Sequence, residues 1–246
     1  MSSNSVIPAL IKNLFLVQDD LDLVNFWDRL QQVSQPFVLA FVNAHAVNLA
    51  CENEDFFHRL LRADLLLRDG IGLKLMLRHY GISPGINMNG TDLIPQILLK
   101  FPKRTVALYG TETSWLMLAQ DKIKKQNSVI DILDGFQDDQ AYLERALKSK
   151  PEIIVLAMGM PKQEKIATLL SQRLSHPCII IAGGAILDFM AGRFPRAPRW
   201  IQKAGFEWLF RFAFEPRRLF RRYMIGNLVF FSHMVRQKLP AYEAKK

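Results

Sequence analysis

Ile153-Ile154-Val155-Leu156-Ala157-Met158-Gly159-Met160-Pro161-Lys162-Gln163-Glu164 is an apolar run that ends in glycine and passes directly into a helix start. Continuous rather than alternating apolarity marks a strand covered on both faces, the habit of parallel sheets. The same grammar recurs at 37–43, 105–110, 129–135 and 178–184, each run ending in Gly or Asn. Between the runs lie segments with helical apolar spacing, such as Leu93, Ile97 and Leu98 after Asp92, Leu116, Ala119 and Ile123, and Leu143, Ala146 and Leu147 before Pro151. Alternation at this interval predicts right-handed βαβ units and an α/β fold, an open, Rossmann-like, doubly wound and mainly parallel sheet.

The chain has 246 residues, 50% of them hydrophobic and 22% charged, which excludes a wholly disordered protein. Its two cysteines, Cys51 and Cys178, have no CxxC or Cys/His spacing, so neither a disulfide scaffold nor a zinc site is expected. The net charge of +9 is unevenly placed. Residues 193–246 hold 13 basic and three acidic side chains, against 19 basic and 20 acidic in the other 192. A near-neutral body with a basic tail needs an anionic partner: nucleic acid, anionic lipid or a phosphorylated substrate. The first twenty residues lack the pattern of a secretory signal, and no run reaches the ~18 apolar residues of a membrane span. The expected place is the cytoplasmic side, in solution or on a membrane surface.

The tail has its own grammar. It opens with Pro195-Arg196-Ala197-Pro198-Arg199-Trp200, passes through Phe206, Trp208, Phe210, Phe212 and Phe214, and restarts as a helix at Glu215-Pro216. Arg217, Arg218, Arg221 and Arg222 then fall on one side, with Leu219, Phe220, Tyr223 and Met224 on adjacent faces. Interleaved cations and aromatics suit an interfacial helix. The expected division is therefore a body at 1–194 and a basic, helical, membrane-binding appendage at 195–246.

Ligands of open α/β sheets bind beyond the carboxyl ends of the strands, so polar residues after the apolar runs are the candidates. They are Asn43 and His45, Gly110 with Thr111, Gly135, Gly159 to Glu164, and Gly183 to Asp188. Asp69, between an apolar run and Gly70-Ile71-Gly72, fits an N-cap for a helix over 71–80; in a cleft it also fits a general base. Asn89-Gly90-Thr91-Asp92 reads as a turn with Asp92 capping or opening a helix. At Gly159 to Glu164 a glycine-to-helix junction offers backbone N–H groups to an anion, with Pro161 at the helix start and Lys162 and Gln163 as further donors. Gly183 and Gly184 allow close approach of a ligand, and Asp188 is placed to bond a ribose or base. Neither a Walker A loop nor a GxGxxG fingerprint is present. His45 has no partner at catalytic spacing and reads as a loop histidine. Asp20-Leu21-Asp22, formally a DxD, lies in a helical run and reads as a solvated face.

Taken in order, Asp69-Gly70-Ile71-Gly72, Asn89-Gly90-Thr91-Asp92, Met158-Gly159-Met160-Pro161-Lys162-Gln163-Glu164, Gly183-Gly184 with Asp188, Arg196-Ala197-Pro198-Arg199-Trp200, and Glu207-Trp208-Leu209 through Glu215-Pro216-Arg217-Arg218 resemble the WecG/TagA/CpsF family of bacterial glycosyltransferases. The likeness runs from about residue 43 to about residue 222. It implies an inverting, metal-independent and cofactor-free hexosyltransferase that moves a sugar from a UDP donor to a saccharide on undecaprenyl diphosphate. The setting it implies is polysaccharide or exopolysaccharide synthesis at the inner face of the cell membrane. The resemblance makes Asp69 the base, puts Asn43 and Gln163 in the sugar cleft and Asp188 near the nucleotide, and sets Arg211, Arg218 and Arg221 against the diphosphate. Asn87 stands where many members of the family it resembles have Arg, and Phe41 where some have Thr; loss of the Arg weakens the case for an N-acetylmannosamine or uronic-acid donor and leaves room for a neutral hexose such as glucose. Asn87, Asp92, Gly110, Gly159, Pro161, Glu164, Gly183 and Gly184 complete the expected substrate-binding set.

The residues fit this reading on physical grounds as well. Departure of UDP puts charge on a phosphate, and arginines, plentiful in one segment, grip phosphate oxygens in pairs. Two rivals are a nucleic-acid-binding module using the basic aromatic tail and a dinucleotide-dependent oxidoreductase, the latter weakened by the missing fingerprint. The expected partners are the UDP-sugar, the lipid-linked acceptor and an anionic membrane surface, without nucleic acid; a homo-oligomer is compatible with the sequence, which leaves oligomeric state open.

Overall fold

A computed structural model describes residues 3–237. Seven strands form one sheet, all neighbours parallel: β1 (Leu14–Phe15), β2 (Pro36–Val42), β3 (Leu65–Arg68), β4 (Thr105–Gly110), β5 (Ser128–Leu133), β6 (Ile153–Ala157) and β7 (Cys178–Ala182). Their spatial order is β1-β3-β2-β7-β6-β4-β5. The five apolar runs of the sequence are β2 and β4 to β7. The remaining two strands are short, and β3 is a Leu-Leu-Leu-Arg stretch of helix-forming residues that becomes a strand by pairing with β2.

Helices cover both faces, as continuous strand apolarity requires. Along β2, Leu39 and Phe41 pack toward α2 (Asp20–Gln31), α6 (Gly90–Lys100), α7 (Thr113–Ile123) and α10 (Ile186–Ala191). Ala40 and Val42 turn the other way, to α1 (Ser3–Asn13), α3 (Ala44–Glu52), α4 (Glu54–Leu61) and α5 (Gly70–His79). Val38 joins α8 (Asp139–Ser149) and α9 (Lys162–Arg173) on that second face. This two-residue alternation is the strand pleat expressed as two cores.

After β7 and α10 the chain runs through α11 (Arg199–Ala204), α12 (Glu207–Phe214), α13 (Pro216–Phe220), a π-helical turn at Arg221–Ile225, and α14 (Gly226–Arg236). The single helix expected after Pro216 is thus interrupted by a wider turn. The segment is tied to the body at several points. Arg196 pairs with Asp92 of α6 and approaches Glu207 at 3.7 Å. Phe230 of α14 is buried in the core with α3 and α5, Asn48 Nδ2 donates to the Gly226 carbonyl at 2.6 Å, and the Tyr80 hydroxyl donates to the Met234 carbonyl at 3.0 Å. By contrast α12 buries no residue. Residues 238–246 of the expected appendage lie outside the described residues. No helix among the described residues is long and apolar enough to cross a membrane.

Candidate active site

Because all strands run the same way, their carboxyl ends and following loops converge on one edge, where they enclose a cleft of about 430 Å³. The segment after β7 forms part of its wall through Arg193, Arg211, Arg218 and Arg222.

Asp69 follows β3 at the N-cap position of α5, yet its side chain makes no capping hydrogen bond. The duty passes to Asn87, whose Oδ1 accepts from Gly70 N at 2.9 Å. The Asp69 carboxylate accepts a long hydrogen bond from Asn43 Nδ2, at 3.5 Å. Asn43 Oδ1 is committed to capping α3, accepting from Ala46 N at 3.1 Å, and this fixes the amide so that its N–H side faces Asp69. Burial raises the Asp69 pKa above the ordinary carboxylate range, opposed by the Asn43 contact and by Arg222, Arg68 and Arg211. Arg68 is locked by hydrogen bonds to the carbonyls of Pro84, Gly70 and Gly85. Asp69 is therefore a carboxylate with unspent acceptor capacity and raised basicity, facing a cleft.

Asn89, not Asp92, caps α6; its Oδ1 accepts from Asp92 N at 2.9 Å. Asp92 lies in the first turn, engages Arg196, and is not part of the cleft wall, whereas Gly90 and Thr91 are. Gly110 has φ +145°, and a Cβ there would lie 2.4 Å from the Ala157 backbone, so glycine is what lets β4 and β6 meet at the cleft floor. Thr111 hydrogen-bonds Asp188, which also pairs with Arg193 at 3.3 Å; Arg193 continues to Glu112 at 3.0 Å.

The loop before α9 behaves differently from its sequence reading. Gly159 lines the cleft, while Pro161 and Glu164 do not. Lys162 donates its amine to the carbonyls of Gly135, at 3.0 Å, and Gln137, at 2.6 Å, so it is spent on the neighbouring loop rather than offered to an anion. Gln163 lines the cleft, but its amide is engaged within the protein: Nε2 donates to Glu164 at 2.8 Å and to the Ala182 carbonyl at 3.2 Å, and Oε1 accepts from Gly184 N at 2.9 Å. It holds the Gly183-Gly184 turn, where Gly184 takes φ +64°. Burial pushes the Glu164 carboxyl up to about 7.

Of the three arginines expected at a diphosphate, Arg211 and Arg218 line the cleft and Arg221 is exposed outside it. Arg222 takes the inward position, and Arg193 joins from the β7 side; neither was in the expected set. The guanidinium groups of Arg211 and Arg218 rest over aromatic rings, Arg211 at 5.2 Å from the Phe189 centroid and Arg218 at 5.9 Å from that of Phe194. Glu215 accepts from Arg218 and lies 3.9 Å from Arg211 Nε. The enclosed Nε atoms of Arg211 and Arg222 make no hydrogen bond. Burial lowers the Arg222 pKa, and the charges of Arg211 and Arg218 act in the same direction. Burial and then the Arg222 charge also bring His45 down to about 4, so it is neutral near pH 7. Crowded guanidinium groups with idle donors are in want of an anion. Among the described residues no group of three or more His, Cys, Asp or Glu is placed to hold a metal ion.

The sequence model of the Glycosyl transferase WecG/TagA/CpsF family matches residues 13–244. The chain is also 27% identical over 188 residues, 74% of its length and 73% of the relative's, to the N-acetylglucosaminyldiphosphoundecaprenol N-acetyl-beta-D-mannosaminyltransferase of Bacillus subtilis (strain 168).

Proposed function

The chain belongs to the WecG/TagA/CpsF glycosyl transferase family, and from that premise we propose that it moves a hexose from a UDP donor to a saccharide carried on undecaprenyl diphosphate. The observation that supports this reading most is the pairing, in one cleft, of an acid free of capping duty with guanidinium groups that have unspent donors. A direct displacement needs both. Asp69 accepts the proton of the acceptor hydroxyl as its oxygen attacks the anomeric carbon, and Asn43 keeps the carboxylate oriented. Arg211, Arg218 and Arg222 take up the charge that develops on the β-phosphate as UDP leaves, in the way fixed dipoles and cations stabilise a leaving group. One attack on the face opposite the leaving group inverts the anomeric centre.

The family assignment favours this enzyme over the nucleic-acid and oxidoreductase readings. The Bacillus relative is named for transfer of N-acetylmannosamine to a lipid-diphosphate-linked N-acetylglucosamine. That supports an acceptor of the same kind here and a donor that is N-acetylmannosamine or a neutral hexose such as glucose; Asn87, expected to bind substrate, caps α5 and is not part of the cleft wall, so it does not choose between them. Residues 195–246 are proposed to seat the enzyme on the inner membrane face. In support, Trp200, Phe206, Phe214, Leu228 and Val235 are more than half exposed, and the cations Arg199, Arg217 and Arg221 are exposed in the same segment. The test is transfer of label from a panel of UDP-sugars to a synthetic polyprenyl-diphosphate saccharide, with the wild type and Asp69→Asn in parallel. The reading predicts transfer from one donor and loss of ~100-fold or more in the variant; no transfer from any donor refutes it.

A further inference from the structure

Glu164 is 3% exposed, on the side of α9 turned to α4 and β2, where it borders a small gap with Val38, Ala40, Arg59 and Ala167. No cation among the described residues forms an ion pair with its carboxyl; Arg59, whose charge reaches it, pairs with Asp55 at 3.8 Å. Enclosing a carboxyl without a paired cation is costly, and burial accordingly pushes this one up to about 7. A methionine would fill the same space without that cost. What the carboxyl supplies is an acceptor: Oε1 takes a hydrogen bond from Gln163 Nε2 at 2.8 Å, while the enclosed Oε2 makes none.

Gln163 is itself buried, and its amide ties three groups together. Nε2 donates to Glu164 and, at 3.2 Å, to the Ala182 carbonyl, and Oε1 accepts from Gly184 N at 2.9 Å. Two acceptors on one side oblige the amide to turn its oxygen to Gly184, since the reverse orientation would set an NH2 group against an N–H. The turn held in this way is tight. A Cβ on Gly183 would lie 2.7 Å from Ile186 Cγ2 and 2.8 Å from Ile94 Cδ1, and Gly184 has φ +64°. The turn leads straight into α10, which carries Asp188 and Phe189. Asp188 bonds Thr111 and Arg193, and the Phe189 ring lies 5.2 Å from the Arg211 guanidinium. Displacing the turn therefore moves groups that meet both the sheet loops and the cleft arginines.

We propose that Glu164, which lies outside the cleft, is a positioning residue for the reaction: by accepting from Gln163 it fixes the amide that holds the Gly183-Gly184 turn, and through that turn it sets α10 against the cleft arginines. The effect on rate rests on the reading that the cleft transfers a sugar from a UDP donor; the tie itself does not. The tie needs an acceptor and not a charge, so a neutral amide in place of the carboxyl serves it as well.

The test follows amide exchange at Gly184 and kcat/KM for the donor in wild type, Glu164→Met, Glu164→Gln, Gln163→Leu and the double variant Gln163→Leu/Glu164→Met, with thermal melts to confirm folding. The tie predicts that Glu164→Met lowers protection at Gly184 ~10-fold, with β6 and β7 unchanged, and lowers kcat/KM ~10-fold or more. Glu164→Gln keeps both within about threefold of wild type, and it keeps the test decisive should Glu164→Met fold poorly. In the Gln163→Leu background Glu164→Met costs nothing further, because the path it acts through is gone. Unchanged Gly184 protection in Glu164→Met, or a Glu164→Gln as impaired as Glu164→Met, overturns the proposal. So does a Glu164→Met penalty that adds in full to that of Gln163→Leu, which marks packing of α9 alone. Exchange at Gly184 needs no substrate: if wild type transfers from no UDP-sugar, the donor reading fails while Gly184 still decides the tie.

Discussion

Replacing Phe230 by Ala asks whether packing on the body holds the arginine-bearing segment over the cleft. Phe230 is 1% exposed, and its ring lies against α5 at Gly72, where a Cβ would sit 3.5 Å from Phe230 Cε1. Truncating an enclosed Phe costs about 3–5 kcal/mol. The hydrogen bonds from Asn48 to Gly226 and from Tyr80 to Met234 contribute about 1 kcal/mol each, so the ring outweighs them. Since α14 is the last described element and Phe230 belongs to no strand, the loss falls on docking of α14 more than on the sheet. A penalty of ~3 kcal/mol predicts a fall of ~100-fold in amide-exchange protection within α14, with β6 and β7 unchanged. Because Arg211, Arg218 and Arg222 precede α14 in the same segment, transfer should fall ~10-fold or more, although Phe230 is not part of the cleft wall. Unchanged α14 protection together with full activity refutes the reasoning.

Asp69→Asn should be more stable than wild type at pH 7, even as it loses activity. The folded pKa of Asp69 is raised, so the folded state binds the proton more tightly; wild-type stability falls as pH rises through the window above 3.8, and the neutral amide escapes that cost. Thermal melts should show a gain for the variant near pH 7 that vanishes below about pH 4. Arg222→Gln removes a charge that lowers the Asp69 pKa, so the acidic limb of log kcat/KM should move to higher pH; a limb that stays in place would separate Arg222 from the base.

The sheet was legible because β2, β4, β6 and β7 are buried along most of their length and so write continuous apolar runs, while β5, at the edge and partly exposed, still carries enough Val, Ile and Leu to read as one. β3 was not, because four residues of Leu and Arg carry no strand signal of their own and are held by β2. Asp69 could be read both as cap and as base, since the position is a cap; only the structure shows Asn87 taking the capping bond. Lys162 and Gln163 looked like ligand donors because their partners, Gly135, Gln137, Ala182 and Gly184, lie about twenty residues or more away in sequence. The choice between Arg221 and Arg222 depends on the π turn that begins at 221, and the helical pattern alone places both within one turn of Arg218.

The account turns on fixed cations from the C-terminal segment stabilising the departing nucleotide. The direct measurement is single-turnover transfer in EDTA, from the UDP-sugar to the lipid-diphosphate acceptor, by wild type and by the variant with Arg211, Arg218 and Arg222 all changed to Gln. The account predicts that wild type keeps its rate in EDTA and that the triple variant loses ~1,000-fold or more while still folded. A wild type that turns over only with added divalent metal, beside a triple variant of nearly normal rate, would contradict it.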